Sequence, residues 1–313
     1  MENSKYDAII IGAGPAGMTA AIYLARARVK TLLVDSGTPG GQMLLSYEVA
    51  NYPGVAQTSG REIATTMLSQ AKTFGCDVIT HSEITRLKLD GDEKEVEIED
   101  EGTFTAPVLI LAMGGVPRTL GMESEKKFQG LGISYCATCD GDFFTDKEIA
   151  VIGGGNSALE EAISLTNYAS KVTIIHEFDE FQAQPWVVEE AKANPKIHYL
   201  MAQKVLGFEG DENLGKVISE NKSDGKKNEV EVEGCFIFIG YVPNTGLVRD
   251  VVNLNERGEI ITDETMATSV PGVFAAGDSR EKRYRQITTS VGDGTIAALS
   301  ATEYLRSKSQ QAA

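Results

Sequence analysis

The run Ile9-Ile10-Ile11-Gly12-Ala13-Gly14-Pro15-Ala16-Gly17 decides the fold of this chain. An apolar strand, Tyr6 to Ile11, breaks at the pattern Gly12-x-Gly14-x-x-Gly17. A helix-like stretch, Met18 to Ala27, follows, and a second strand, Thr31 to Val34, closes on Asp35. Strand, glycine turn, helix, strand and acid, with the acid about 20 residues past the first glycine, is the dinucleotide-binding fingerprint. Gly12 permits the tight turn, Gly14 lets backbone amides approach a pyrophosphate, and Gly17 lets the helix pack close. The helix N-terminus then turns its partial positive charge toward the anion. Pro15 and Ala16 complete the turn, and Asp35 would accept hydrogen bonds from an adenosine ribose. The glycines alone would also serve packing; their flanking elements favour a nucleotide.

The pattern occurs a second time. Glu148 to Ile152 reads as a strand, then come Gly153-Gly154-Gly155-Asn156-Ser157-Ala158, a helical run from Leu159 to Tyr168, and a strand, Lys171 to Ile175, ending at His176-Glu177. Gly153, Gly155 and Ala158 occupy the fingerprint positions, and Glu177 stands where Asp35 stands in the first copy. The expected fold class is therefore α/β, with two Rossmann-like nucleotide-binding folds, the second inserted into the first. Pro and Gly near Val116–Thr119 and Pro243–Leu247 mark the crossings, giving one domain of residues 1–116 and 247–313 and another of 117–246. Leu87 to Phe104 alternates about Asp90-Gly91-Asp92 and reads as an antiparallel flap; Val205 to Val232 reads as a similar hairpin. Val108–Ala112, Phe236–Ile239 and Gly272–Asp278 are short buried strands. A last helix, Gly294 to Leu305, precedes a polar tail expected to be disordered.

Composition sets outer limits. At 313 residues the chain is long for one core, and 42% apolar with 24% charged residues is ordinary for a globular protein. A formal charge of −16 repels phosphate backbones and argues against a nucleic-acid partner. No apolar run approaches the roughly 20 residues of a membrane span. Met1-Glu2-Asn3-Ser4-Lys5 leads into a strand without a secretory segment, so a cytoplasmic location is expected.

Four cysteines, Cys76, Cys136, Cys139 and Cys235, are too few for a disulfide scaffold. Cys136-Ala137-Thr138-Cys139 is a C-x-x-C. Zinc would need further ligands that the isolated cysteines and three histidines do not supply, so no metal is expected and a redox dithiol is the better reading. Asp140 could relay a proton to a leaving thiolate if burial holds its pKa up; the plainer alternative is a turn cap. Cys76 and Cys235 read as packing residues, and Trp186, the one tryptophan, as core or edge packing.

From Ile9 to Leu299 the chain resembles the low-molecular-weight thioredoxin reductases. The matching elements, in order, are the first glycine fingerprint, Pro39-Gly40-Gly41-Gln42, Asn51-Tyr52-Pro53-Gly54, Cys136-Ala137-Thr138-Cys139-Asp140-Gly141 and Gly153–Ala158. They continue with Phe238-Ile239-Gly240, Pro243-Asn244, Gly277-Asp278, Arg285-Gln286 and Gly292-Asp293-Gly294. The resemblance implies FAD in the first domain. Its ADP half would lie on Gly12, Gly14, Gly17 and Asp35, and its ribitol on Asp278 beside Gly277. Gly41, Gln42 and Asn51 would lie near the isoalloxazine, with Arg285, Gln286 and Ile287 along its edge. It also implies a Cys136–Cys139 disulfide with Cys139 toward the flavin, Asp140 as acid, a thioredoxin-like partner, a homodimer and a second domain that rotates. No histidine follows His198, which excludes the branch carrying a C-terminal histidine base.

One segment departs from the family. NADPH-using members carry His-Arg-Arg-x-x-x-Arg, whose arginines hold the 2′-phosphate. Here the segment is His176-Glu177-Phe178-Asp179-Glu180-Phe181-Gln182. A carboxylate some 5 Å from a phosphate costs about 3 kcal/mol at an effective dielectric near 20, so NADPH should bind poorly. Two donors remain open. Glu177 could hold the ribose of NADH, or the site has decayed and electrons come from ferredoxin, whose docking the cations Arg280, Lys282, Arg283 and Arg285 would favour. The loss of the whole clamp sets ferredoxin slightly ahead. The expected function is an FAD-dependent thioredoxin-disulfide reductase. A flavin-binding redox sensor without turnover is the alternative of another class, and the dithiol argues against it.

Overall fold

The computed structural model describes residues 4–46 and 49–311. Met1–Asn3, on which the cytoplasmic expectation partly draws, and the last two residues of the tail lie outside them. The chain forms two compact units, one of Met1–Val116 with Val242–Ala313 and one of Pro117–Tyr241.

In the first unit β2 (Ala8–Ile11), β3 (Thr31–Asp35), β4 (Asp77–Thr80), β8 (Val108–Leu111) and β19 (Val273–Ala275) form a parallel sheet in the order β19-β8-β2-β3-β4. β2 and β8 are apolar throughout because both faces are covered. Ala8, Ile10, Leu33 and Ile110 pack under α1 (Pro15–Arg26), α2 (Gly60–Thr73) and α7 (Ile287–Gln311). Ile9, Ile11, Leu32 and Leu109 point the other way, onto a flap of β5 (Ile84–Lys88), β6 (Lys94–Ile98) and β7 (Gly102–Ala106). The flap has three antiparallel strands, joined by β1 (Ser4–Lys5) parallel to β7.

The second unit repeats this plan. β10 (Ile133–Ser134), β11 (Glu148–Ile152), β12 (Lys171–Ile175), β13 (Ile197–Leu200) and β17 (Gly234–Ile237) form a parallel sheet in the order β10-β17-β11-β12-β13. Ile149, Val151, Val172 and Phe236 pack under α5 (Asn156–Leu165) and α6 (Pro185–Ala193). The opposite face meets three antiparallel strands, β14 (Gln203–Glu209), β15 (Lys216–Asn221) and β16 (Lys227–Glu231). Two short helices, α3 (Glu123–Phe128) and α4 (Ala137–Asp140), precede β11.

Several details differ from the sequence reading. The helices begin earlier than expected: α1 at Pro15 rather than Met18, α5 at Asn156 rather than Leu159, and α7 at Ile287 rather than Gly294. The caps of α1 and α5 are Gly14 and Gly155, which carry no side-chain signal. α7 runs on through the polar segment to Gln311, which corrects the disordered tail. The second crossing falls at Tyr241–Val242, a few residues before the expected 246/247. There β18 (Tyr241–Pro243) pairs with β9 (Gly115–Pro117) as a two-stranded ribbon. Trp186 lies on the solvent side of the first turn of α6, 54% exposed, with Nε1 donating to Gln184 Oε1 at 2.7 Å. It is not a core residue.

Candidate functional site

The first glycine turn is held by contact. A Cβ on Gly17 would lie 1.8 Å from the carbonyl oxygen of Gly12, while one on Gly14 meets nothing within 4 Å. The floor of the turn is therefore closed by backbone and its outer side is open. Pro15 opens α1, whose first turn carries no acid, so the N–H groups there favour an anion. Asp35 ends β3 and accepts from Ala13 N at 2.6 Å and Gly37 N at 2.8 Å. A Cβ added at Gly41 would lie 3.4 Å from Gly14 Cα, and one added at Gly277 would lie 2.8 Å from Ala16 Cβ. Thus segments distant in sequence meet on one turn, and Gln42 is exposed beside it.

Asn51 and Gln286 lie together, Nδ2 to Oε1 at 3.4 Å, next to Ile287 at the start of α7. Asp278 accepts from Ser290 Oγ at 3.1 Å, and burial raises its pKa despite Lys282 Nζ at 3.7 Å. A carboxyl so placed suits a hydroxyl-bearing ligand that can share its proton. The open side of Gly14, the bare helix N-terminus, Asp35 and Asp278 together fit the parts of FAD.

The expected cationic strip is largely neutralised. Lys282, with its side chain 7% exposed, binds Asp293 Oδ2 at 2.8 Å, and Arg280 reaches the same carboxylate at 3.5 Å. Arg285 is paired with the buried Glu259. Arg283 stays on the surface over the ring of Tyr284. Composition could not show this, because the acids lie on other turns and segments.

In the second unit Cys136 and Cys139 are joined, S–S 2.12 Å with Cα atoms 5.3 Å apart, Cys136 capping the short helix α4. Asp140 closes that helix. Its carboxylate makes no cap bond; Oδ2 instead accepts from Ser134 Oγ at 2.5 Å. Burial, the largest influence, lifts its pKa above the usual carboxylate range. Tyr135, next to Cys136, donates to Glu125 Oε1 at 2.8 Å, and Glu125, itself buried, accepts from Leu120 N and Gly121 N. Ser134 and Glu125 escaped the sequence reading, since neither belongs to a motif with a recognisable spacing. Cys76 and Cys235 are buried free thiols; burial pushes Cys76 up to about 12 and Cys235 also upward. Neither is poised as a thiolate.

The second glycine turn repeats the first. Gly153 has φ 139° with its Cα side against Phe238 O, Ala158 is fully buried, and Gly155 faces open space as Gly14 does. His176 is packed on Gly154 and stacked on Phe181, and burial lowers its pKa. Glu177 follows β12 with its side chain 59% exposed, paired with Lys222 Nζ at 3.2 Å; Lys222 also lies over Phe178. At that exposure water and Lys222 screen much of the charge of Glu177. The missing arginine donors therefore weigh more against a 2′-phosphate than repulsion does.

Residues 6–294 match the family model of the pyridine nucleotide-disulphide oxidoreductases. The chain belongs to this family. A 34.2 kDa protein in the rubredoxin operon of Clostridium pasteurianum is 42% identical over 98% of this chain and 99% of its own length. A thioredoxin reductase of Listeria innocua is 42% identical over 97% of this chain and 95% of its own. The crystal structure of thioredoxin reductase from Streptococcus pyogenes covers 98% of this chain and all of its own, at 42% identity and a TM-score of 0.93. Within the pyridine nucleotide-disulphide oxidoreductases the chain is of the low-molecular-weight thioredoxin reductase type, an FAD-binding flavoprotein and a disulfide oxidoreductase. Among the described residues no helix is long and apolar enough to cross a membrane, and no cluster of His, Cys, Asp and Glu could hold a metal.

Proposed function

We propose that the protein is an FAD-dependent thioredoxin-disulfide reductase that passes electrons through Cys139 and Cys136 to a thioredoxin-like protein. The observation that carries the reading is the Cys136–Cys139 disulfide on α4 with Asp140 at the end of the same helix. In the first unit Gly12, Gly14, Pro15, Ala16, Gly17 and Asp35 would hold the ADP half of FAD. Gly277 and Asp278 would hold the ribitol, and Gly41, Gln42, Asn51, Arg285, Gln286 and Ile287 would surround the ring. FAD, when bound, supplies the pair of electrons that reduces the disulfide. The S–S bond breaks, and the sulfur of Cys136 leaves and takes a proton held at Asp140. Cys136 then attacks the partner's disulfide to form a mixed disulfide, expelling the partner's second thiolate. Attack by Cys139 on Cys136 restores the intramolecular bond and frees the reduced partner. Thioredoxins lie near about −270 mV, so the flavin must be poised at or below roughly that value.

For the donor, two observations support NADH over ferredoxin. Arg280, Lys282 and Arg285 are spent on Asp293 and Glu259, which leaves little for an acidic protein to dock on. The turn of Gly153, Gly155 and Ala158 is open above Gly155, and Glu177 follows β12, which supports a ribose-binding dinucleotide cradle. Ferredoxin keeps one favouring observation, the absence of any arginine clamp. Oxidised protein mixed anaerobically with NADPH, NADH or photoreduced ferredoxin is expected to lose its flavin absorbance fastest with NADH. Faster bleaching by ferredoxin would reverse the assignment, and rapid bleaching by NADPH would contradict the reading of Glu177, Phe178 and Gln182.

A homodimer is supported by exposed apolar side chains at Ile296 and Leu299, one turn apart on α7, and Tyr23 on α1, which packs against it. Sedimentation should give twice the chain mass; a monomer at micromolar concentration would contradict this.

A further inference from the structure

We propose that Ser134 is a positioning residue for the dithiol: its hydroxyl occupies Asp140 Oδ2, leaving Oδ1 as the oxygen that delivers a proton to the sulfur of Cys136. The inference rests on the proposed role of Asp140 and goes beyond it in naming the oxygen and what selects it. Ser134 Oγ lies 2.5 Å from Asp140 Oδ2 and 3.4 Å from the carbonyl oxygen of Cys136, and it accepts from Cys136 N at 3.1 Å. A hydroxyl has one proton, and the short bond to a carboxylate oxygen takes it. The result is a directed chain, Cys136 N–H to Ser134 Oγ–H to Asp140 Oδ2. Ser134 is 8% exposed on β10, so water does not replace it. With Oδ2 already accepting, a proton on Asp140 resides on Oδ1, and on cleavage of the disulfide it passes from Oδ1 to the departing Cys136 thiolate. The carboxylate so formed regains a proton from solvent.

The same bond sets how tightly that proton is held. Burial favours the protonated acid, while the Ser134 donor favours the anion. The other titratable groups on elements around α4 are Asp142 in the next turn, which raises Asp140, Glu160 and Glu161 on α5, and Tyr135, which is bonded to Glu125. None of these donates to Asp140 among the described bonds. The acid form exists below the folded pKa and is lost as pH rises through it. Removing Ser134 deletes a bond to the anion, so the midpoint must move up.

The test is a pH titration of the FAD-bound protein by infrared spectroscopy, the Asp140 carboxyl band being the one missing in Asp140→Asn. Ser134→Ala is expected to raise the midpoint by about one pH unit, and Ser134→Thr, which keeps the hydroxyl, to restore it. A merely structural Ser134 would lower thermal stability without moving the midpoint. An unshifted Ser134→Ala, or a Ser134→Thr that titrates like it, overturns the proposal. The titration needs neither donor nor thioredoxin, so it stands or falls apart from the functional reading.

Discussion

Cys136→Ser is expected to lower thioredoxin reduction by about 10³-fold or more while leaving FAD bound in full. Loss of the attacking thiolate removes the covalent step that joins the two disulfides, and Cys139, left alone, has no second thiol with which to resolve a mixed disulfide. Cys76 and Cys235 are buried, and burial holds both away from the thiolate form. The flavin should be untouched because the residues assigned to it lie in the other unit. Turnover assayed with a thioredoxin, beside the flavin absorbance of the same sample, separates the two effects. Unchanged turnover would remove Cys136 from the chemistry, and loss of FAD would show that the variant had damaged more than the thiol.

The second large effect is expected at Gly14→Ala. Its backbone is extended, with φ −75° and ψ −176°, which any residue adopts, and an added Cβ would meet no protein atom within 4 Å. The variant should therefore fold and melt like the parent. The methyl group would stand in the space through which a pyrophosphate reaches the amides at the start of α1, so FAD affinity should fall about tenfold or more. Gly17→Ala makes the contrast. There the Cβ runs into the Gly12 carbonyl at 1.8 Å, and both stability and flavin content should drop. Isothermal titration of apoprotein with FAD, with melting curves for each variant, tests the pair. Parental affinity in Gly14→Ala would mean that no anion sits on this turn.

The two glycine turns were the most legible part of this chain. Their strands are apolar for several residues and stop at a glycine or at the acidic end of the fingerprint, so Glu148–Ile152 and Lys171–Ile175 stand in the structure with the expected bounds. The helix starts were less legible, because a glycine cap relies on open backbone rather than on a Ser or Asp that sequence can show. Partners in space were hidden further. Arg280, Lys282 and Arg285 read as a strip of positive charge along the sequence, yet Asp293 and Glu259 cancel them from other turns. Ser134 carries no motif, and its partner Asp140 is reached only because the chain turns through α4. Glu177 was legible as an acid at the right distance, but its pairing with Lys222 depends on how β15 leads into the next strand.

In the proposed function the Cys136–Cys139 disulfide exchanges electrons with the protein's own FAD. Anaerobic reductive titration of the holo-protein, followed by flavin absorbance and by a count of alkylatable thiols, addresses it directly. The parent is expected to consume twice the electron equivalents that its flavin requires, with Cys136 and Cys139 appearing as thiols, and Cys136→Ser only the flavin's share. A parent protein whose flavin is fully reduced with the disulfide intact would contradict it.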